Sequence, residues 1–199
     1  MPAQTVQEQV KNQVRQKIKQ LQDLPEHPRK AALANLRRGV GRVPGDLPEL
    51  WGSFLLGMPQ ELQSTSGEPT RAEWSIYLAL TLYAMHQQGN ELPEKSMNKE
   101  GVKFGSAVHR LVDPEDQPEK NGVFRRFNAL ATASSIREVS QHLRGMIQLL
   151  RANDIPLDYP QLAADLYNLQ FPDSSARVRL RWGQEYYSHA ASEKESSEE

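Results

Sequence analysis

Residues 121–151, NGVFRRFNALATASSIREVSQHLRGMIQLLR, decide how the rest of the chain is read. From Ser135 onward, Ile136, Val139, Leu143, Met146, Ile147 and Leu150 recur at the three-and-four spacing of a buried helical stripe. Arg137, Gln141, Arg144, Gln148 and Arg151 recur at the same spacing. At about 100° per residue these five form a second narrow stripe, roughly 130° from the centre of the apolar one. Its three arginines stand about 10 Å apart along the axis, a rail of guanidinium groups. Glu138 is the one acid of the stretch, and upstream Arg125 and Arg126 sit between Phe124 and Phe127. A helix with a core face and a cationic face is a scaffold for a phosphate backbone.

Working outward, helical periodicity dominates. A first helix is predicted from about Gln7 to Leu24, with Val6, Val10, Val14, Ile18 and Leu21 inward, ended by Pro25 and Pro28. A short Ala/Leu-rich helix follows over 28–38 and stops at Gly39. The loop GVGRVPGD, 39–46, has glycines but neither the GxGxxG nor the GK[ST] spacing, and it follows a helix, so it is no nucleotide loop. Beside Arg37 and Arg38 it can still bring backbone amides to a phosphate. In LPELWGSFLLGMP, Leu50, Trp51, Phe54 and Leu55 are predicted core. Thr70 and Glu73 form a capping box for a long helix lined by Trp74, Tyr77, Leu78, Thr81, Leu82 and Met85. That aromatic stripe reads as core and not as a base-stacking platform. A further helix is predicted from about Lys99 to Val112 and another in DYPQLAADLYNLQ. In SARVRLRWGQEYYSH, Arg177, Arg179 and Arg181 alternate with Val178, Leu180 and Trp182 at the period of a short strand. The segment is read as a last helix because the rest of the chain is helical.

The expected fold class is therefore all-α: two helical-bundle lobes packed side by side, with a disordered acidic C-terminal tail. The proline-rich, charged segment 113–121 is the expected linker. It divides an N-terminal lobe, 1–112, from a C-terminal lobe, 122–189, and the tail is 190–199. At 199 residues, 38% hydrophobic, the chain can bury one good core or two small lobes sharing an interface. No apolar run is long enough to span a membrane, and the N-terminal residues lack the apolar stretch of a signal peptide. With no cysteine there is no disulfide framework and no thiolate chemistry, so the cytoplasm is the expected compartment.

Charge is unevenly spread. The tail carries four glutamates against one lysine, a net of -3 within the whole chain's -1, so the remainder is about +2. Residues 29–42 hold Arg29, Lys30, Arg37, Arg38 and Arg42 with no acid among them. Local basic patches on a near-neutral body point to a defined polyanion site. Against this, the five histidines are dispersed and none has a metal-ligand spacing. No carboxylate pair stands out and no serine lies in a GxSxG elbow. Neither catalytic nor metal residues nor a cofactor are therefore expected, and the chain is read as a non-enzyme.

Several segments taken together resemble one family, the small subunit (CasB) of the type I-E CRISPR surveillance complex, Cascade. They are ALANLRRGVGRVPGDLPELW, EWSIYLALTLYAMHQQG, GVKFGSAVHRLV, FRRFNALATASS with HLRGMIQLLR, and LDYPQLAADLYNLQ followed by VRLRWGQEYY, in order from about Lys30 to Tyr187. The resemblance implies a non-catalytic, all-α subunit of two helical lobes. It implies crRNA and target DNA as partners, held in the R-loop, together with the Cascade backbone and large subunits. It also implies a second copy lying head to tail, and antiviral defence as the setting. Arg37, Arg38, Arg125, Arg126 and Arg144 match positions that are basic in the family pattern, while Arg42, Arg110, Arg137 and Arg151 come from the local surface argument. Ser106 departs from the pattern where the family often has arginine, which leaves contact from that turn to Lys103 or Arg110. A competing expectation from a different class is a helical adaptor whose basic faces meet acidic protein partners.

Overall fold

The computed structural model describes residues 4–113 and 121–197, with side chains up to Ser188. Nine α-helices and two short 3-10 turns form the regular structure of the described residues, with one isolated bridge and no strand. The chain is all-α, two helical groups packed side by side around a shared apolar core.

The centre is α4 (Arg71–His86). Thr70 Oγ1 accepts from the Glu73 amide at 3.0 Å, and the Glu73 carboxylate accepts from the Thr70 amide at 2.7 Å, which fixes where the helix starts. Every residue of α4 is buried except Arg71 and Trp74. Such a helix needs neighbours on all sides. It finds them in α1 (Val6–Asp23), α2 (Glu26–Arg38), α7 (Ile136–Ala152) and α8 (Tyr159–Leu169). The apolar stripe of α7 supplies buried Val139, Leu143, Met146, Ile147 and Leu150. The short α3 (Trp51–Phe54) drops Phe54 edge-on against Tyr77, ring centroids 5.4 Å apart.

The second group is built on α9 (Pro172–Ser197). Against it lie α5 (Phe104–His109) and α6 (Gly122–Thr132), which also packs on α7. Trp182 is fully buried against Phe104 and donates its indole N–H to Asp165 Oδ2 at 2.8 Å. Arg181 and Gln161 also donate to Asp165, so this buried carboxylate ties α8 to α9. Burial pushes the Asp165 carboxyl up and the Arg181 charge pulls it back. α5 approaches α9 at backbone contact. A Cβ on Gly105 would stand 2.1 Å from the Trp182 carbonyl oxygen and 2.9 Å from the Tyr186 amide nitrogen.

Three sequence expectations need correction. The segment from Lys99 to Val112 is not one helix: only Phe104–His109 is helical. The preceding residues are tied to 157–158, Gly101 taking φ +81° and donating to Asp158 Oδ2 at 2.9 Å. Trp51 is 49% exposed, although it stands one turn before buried Phe54 on the same short helix. Trp74 is only half-buried. Gly39 does cap α2 as expected; its φ is -75°, and glycine is needed there for space. A Cβ there would meet the Tyr77 hydroxyl at 2.6 Å, Leu50 Cδ1 at 2.7 Å and Thr81 Cγ2 at 2.9 Å. Most of the expected linker, 114–120, and the side chains of the expected acidic tail lie outside the described residues.

Two outcomes follow from these contacts. Gly105→Ala must push α5 off α9, and urea unfolding is expected to register a loss of about 3 kcal/mol, the upper end for overpacking. His86 is buried with Nδ1 2.9 Å from the Tyr159 hydroxyl, and burial lowers its pKa from the ordinary 6.5 to about 4. As pH falls through that window the unfolded chain takes the proton first, so stability present at neutral pH is lost, up to about 3 kcal/mol in full. Unfolding followed between pH 7 and 4 should show a shallower decline in His86→Phe than in the wild type.

Candidate nucleic-acid interface

The arginine rail of α7 starts where Ser135 caps the helix, its Oγ accepting from the Glu138 amide at 3.2 Å. Glu138 turns back to accept from the Ser134 amide at 2.7 Å, so the one acid of α7 is engaged at the helix start. Arg137 is exposed and lies over Trp74, its guanidinium carbon 5.6 Å from the ring centroid. Two turns on, exposed Arg144 faces the loop after α2. Gly41 there takes φ +80°, and a Cβ on it would stand 3.8 Å from Arg144 Nη1. Between them opens a cavity of about 260 Å³ lined by Gly41, Arg42, Val43, Trp74, Arg137, Ser140, Gln141 and Arg144. Three guanidinium groups line it and no carboxylate does.

At the far end of α7, Arg151 donates from Nε and Nη1 to the Gln88 carbonyl and side-chain oxygens, both at 3.2 Å. Half-buried Arg37 is close by: burial lowers its pKa, and the nearby Arg151 charge lowers it further. Arg37, Arg151, Arg144, Arg42 and Arg137 thus lie on one face formed by α2, its following loop and α7. Like charges gathered on a face with low ion-pair content favour an incoming anion.

The remaining sequence candidates are not drawn into that face. Arg38 pairs with Glu49 at 2.8 Å, an exposed ion pair of small energetic consequence. Arg125 and Arg126 are exposed on α6, and Arg110 is exposed at the end of α5. No contact among the described residues joins these three to the cavity. Two cations that sequence reasoning missed line a cavity of about 370 Å³ at the start of α7. Arg71 is stacked 4.4 Å from the Phe171 ring centroid, and Arg179 donates to the Ala133 carbonyl at 3.3 Å. Arg71 stands one turn before Trp74, the spacing that could have flagged it. Among the described residues no group of three or more histidines and carboxylates is placed to hold a metal ion. No helix there is long and apolar enough to cross a membrane.

The fold and its basic face can be set beside known proteins. The sequence model for the CRISPR-associated protein Cse2 matches residues 32–187, most of the chain. The chain belongs to the Cse2 family. Among solved structures, CasB from Thermobifida fusca is 34% identical, with a TM-score of 0.69 over 94% of this chain and 99% of that one. At the level of fold, CasB from M. ruber (24% identity, TM-score 0.69, 93% and 98% covered) has the same architecture. So has a Cse2-family CRISPR-associated protein from Thermus thermophilus (23%, 0.65, 92% and 97%). No curated protein gives a significant match. As a Cse2 (CasB) protein the chain is a subunit of the type I-E CRISPR complex Cascade, in agreement with the resemblance seen in its sequence.

Because Arg42 and Arg144 are exposed and make no ion pair among the described residues, they hold no structure together. Arg42→Glu/Arg144→Glu should unfold in urea within about 0.5 kcal/mol of the wild type.

Proposed function

We propose that this Cse2 protein is the non-catalytic small subunit that holds the crRNA and target-DNA backbone in the R-loop, without sequence preference, during antiviral defence in the cytoplasm. Its partners in this reading are the Cascade backbone and large subunits and a second copy of itself. The carrying observation is the cavity between α7 and the loop after α2, where three guanidinium groups converge with no carboxylate among the lining residues. Base reading needs side chains presented into a groove or to splayed base edges in a defined donor–acceptor pattern. Arginines on a rigid helix face suit phosphates instead, and guide–target pairing supplies the sequence information.

The test is fluorescence anisotropy of labelled single-stranded DNA, RNA and duplex across a salt series. Wild type should bind all three with little sequence dependence and a steep salt slope. Arg42→Glu/Arg144→Glu should bind weakly, and single neutral substitutions should lower the slope by about one unit per lost phosphate contact. Unchanged nucleic-acid binding in the charge-reversed variant would overturn this reading and send the basic face to acidic protein partners.

A further inference from the structure

α4 is buried along its whole length except at Arg71 and Trp74, and Trp74 emerges into the basic cavity beneath Arg137. With the Arg137 guanidinium carbon 5.6 Å from the Trp74 ring centroid, a planar cation and an aromatic face stand side by side in the cavity lining. Beside them, Ser140 and Gln141 make no side-chain hydrogen bond among the described residues and line the same cavity. Arg42 and Arg144 complete the lining.

We propose that this cavity takes one unstacked base of a single strand against the Arg137–Trp74 pair, while Arg42 and Arg144 hold the flanking phosphates. The inference rests on the backbone-holding function above and adds to it a preference for single-stranded over duplex nucleic acid. A duplex keeps its bases stacked inside and offers such a face only phosphates. A single strand can turn a base outward, and guanidinium planes and aromatic rings are the surfaces that receive it. Ser140 and Gln141 can satisfy the base edge whatever its identity, because each offers both donor and acceptor atoms. Stacking of this kind tolerates any sequence, as every base has a π-face.

The experiment compares full-length protein binding to an intact single strand, an abasic strand with the same number of phosphates, and a duplex, in DNA and RNA versions. Wild type is expected to bind the intact strand about tenfold tighter than the abasic one, a ratio within the range of one stacked base. Arg137→Lys keeps the charge but loses the plane, and should bind both strands equally at the abasic level, with an unchanged circular dichroism spectrum. Trp74→Phe should retain most of the preference and Trp74→Ala should lose it. A preference in either DNA or RNA supports the site and identifies its strand. Equal binding of intact and abasic strands by the wild type would overturn the stacking site and leave the backbone function standing. A preference that survives Arg137→Lys and Trp74→Ala would also overturn it, and failure of every oligonucleotide to bind would overturn both readings.

Discussion

A helix with almost no solvent face sets the terms for the rest of the molecule. α4 buries Ile76 to Met85 without interruption, so its cost in solvation is met only when other helices close around it. α1, α2, α7 and α8 do so, and two of them come from each half of the chain. Only the first turn of α4 emerges, at Arg71 and Trp74, because there the capping box and the polar loop before it replace a packed neighbour. The place where the core opens is therefore also the place where α7 and the loop after α2 meet at the surface.

That coincidence links packing to electrostatics. α7 is held by its apolar stripe, which fixes the rotation of the helix and with it the direction of the arginine rail. The loop after α2 is held from beneath: the Tyr77 hydroxyl donates to the Gly39 carbonyl at 3.0 Å, and no side chain at 39 could fit over it. Burial raises that phenol's pKa to about 12, so it stays a donor throughout the physiological range. Arg42 thereby faces Arg137 and Arg144 from a loop anchored in the core. Bringing like charges together this way opposes folding slightly, and an anion bound between them removes that opposition.

Much of this was legible in the sequence. The all-α class, the capping box at Thr70 and Glu73 and both faces of α7 follow from local period and cap chemistry, which need no knowledge of partners. The course of the chain from Lys99 to Val112 did not, because a glycine at positive φ and a tie to residues 157–158 act through a distant segment. Which arginines cooperate was hidden for the same reason. Arg38 and Arg37 are adjacent in sequence, yet one is paired with Glu49 and the other stands beside Arg151. Trp74 fits the period of a core residue, and only the arrangement of α7 over α4 leaves it at the cavity.

The division of labour along α7 has a consequence for how a nucleic-acid strand can be held. Residues that fix the helix and residues that line the cavity alternate around the same turns: Val139 and Leu143 enter the core, while buried Ser140 and exposed Arg144 line the cavity. Side chains displayed on a packed helix keep their spacing, whereas those on a free loop must be ordered when a ligand arrives. The loop after α2 would carry that penalty had Gly39 not been packed under Tyr77, Leu50 and Thr81. In the proposed function the flexible partner in the cavity is the strand itself. A rigid protein face with guanidinium groups at fixed intervals selects a backbone that can adjust to it, and a single strand adjusts at lower cost than a duplex.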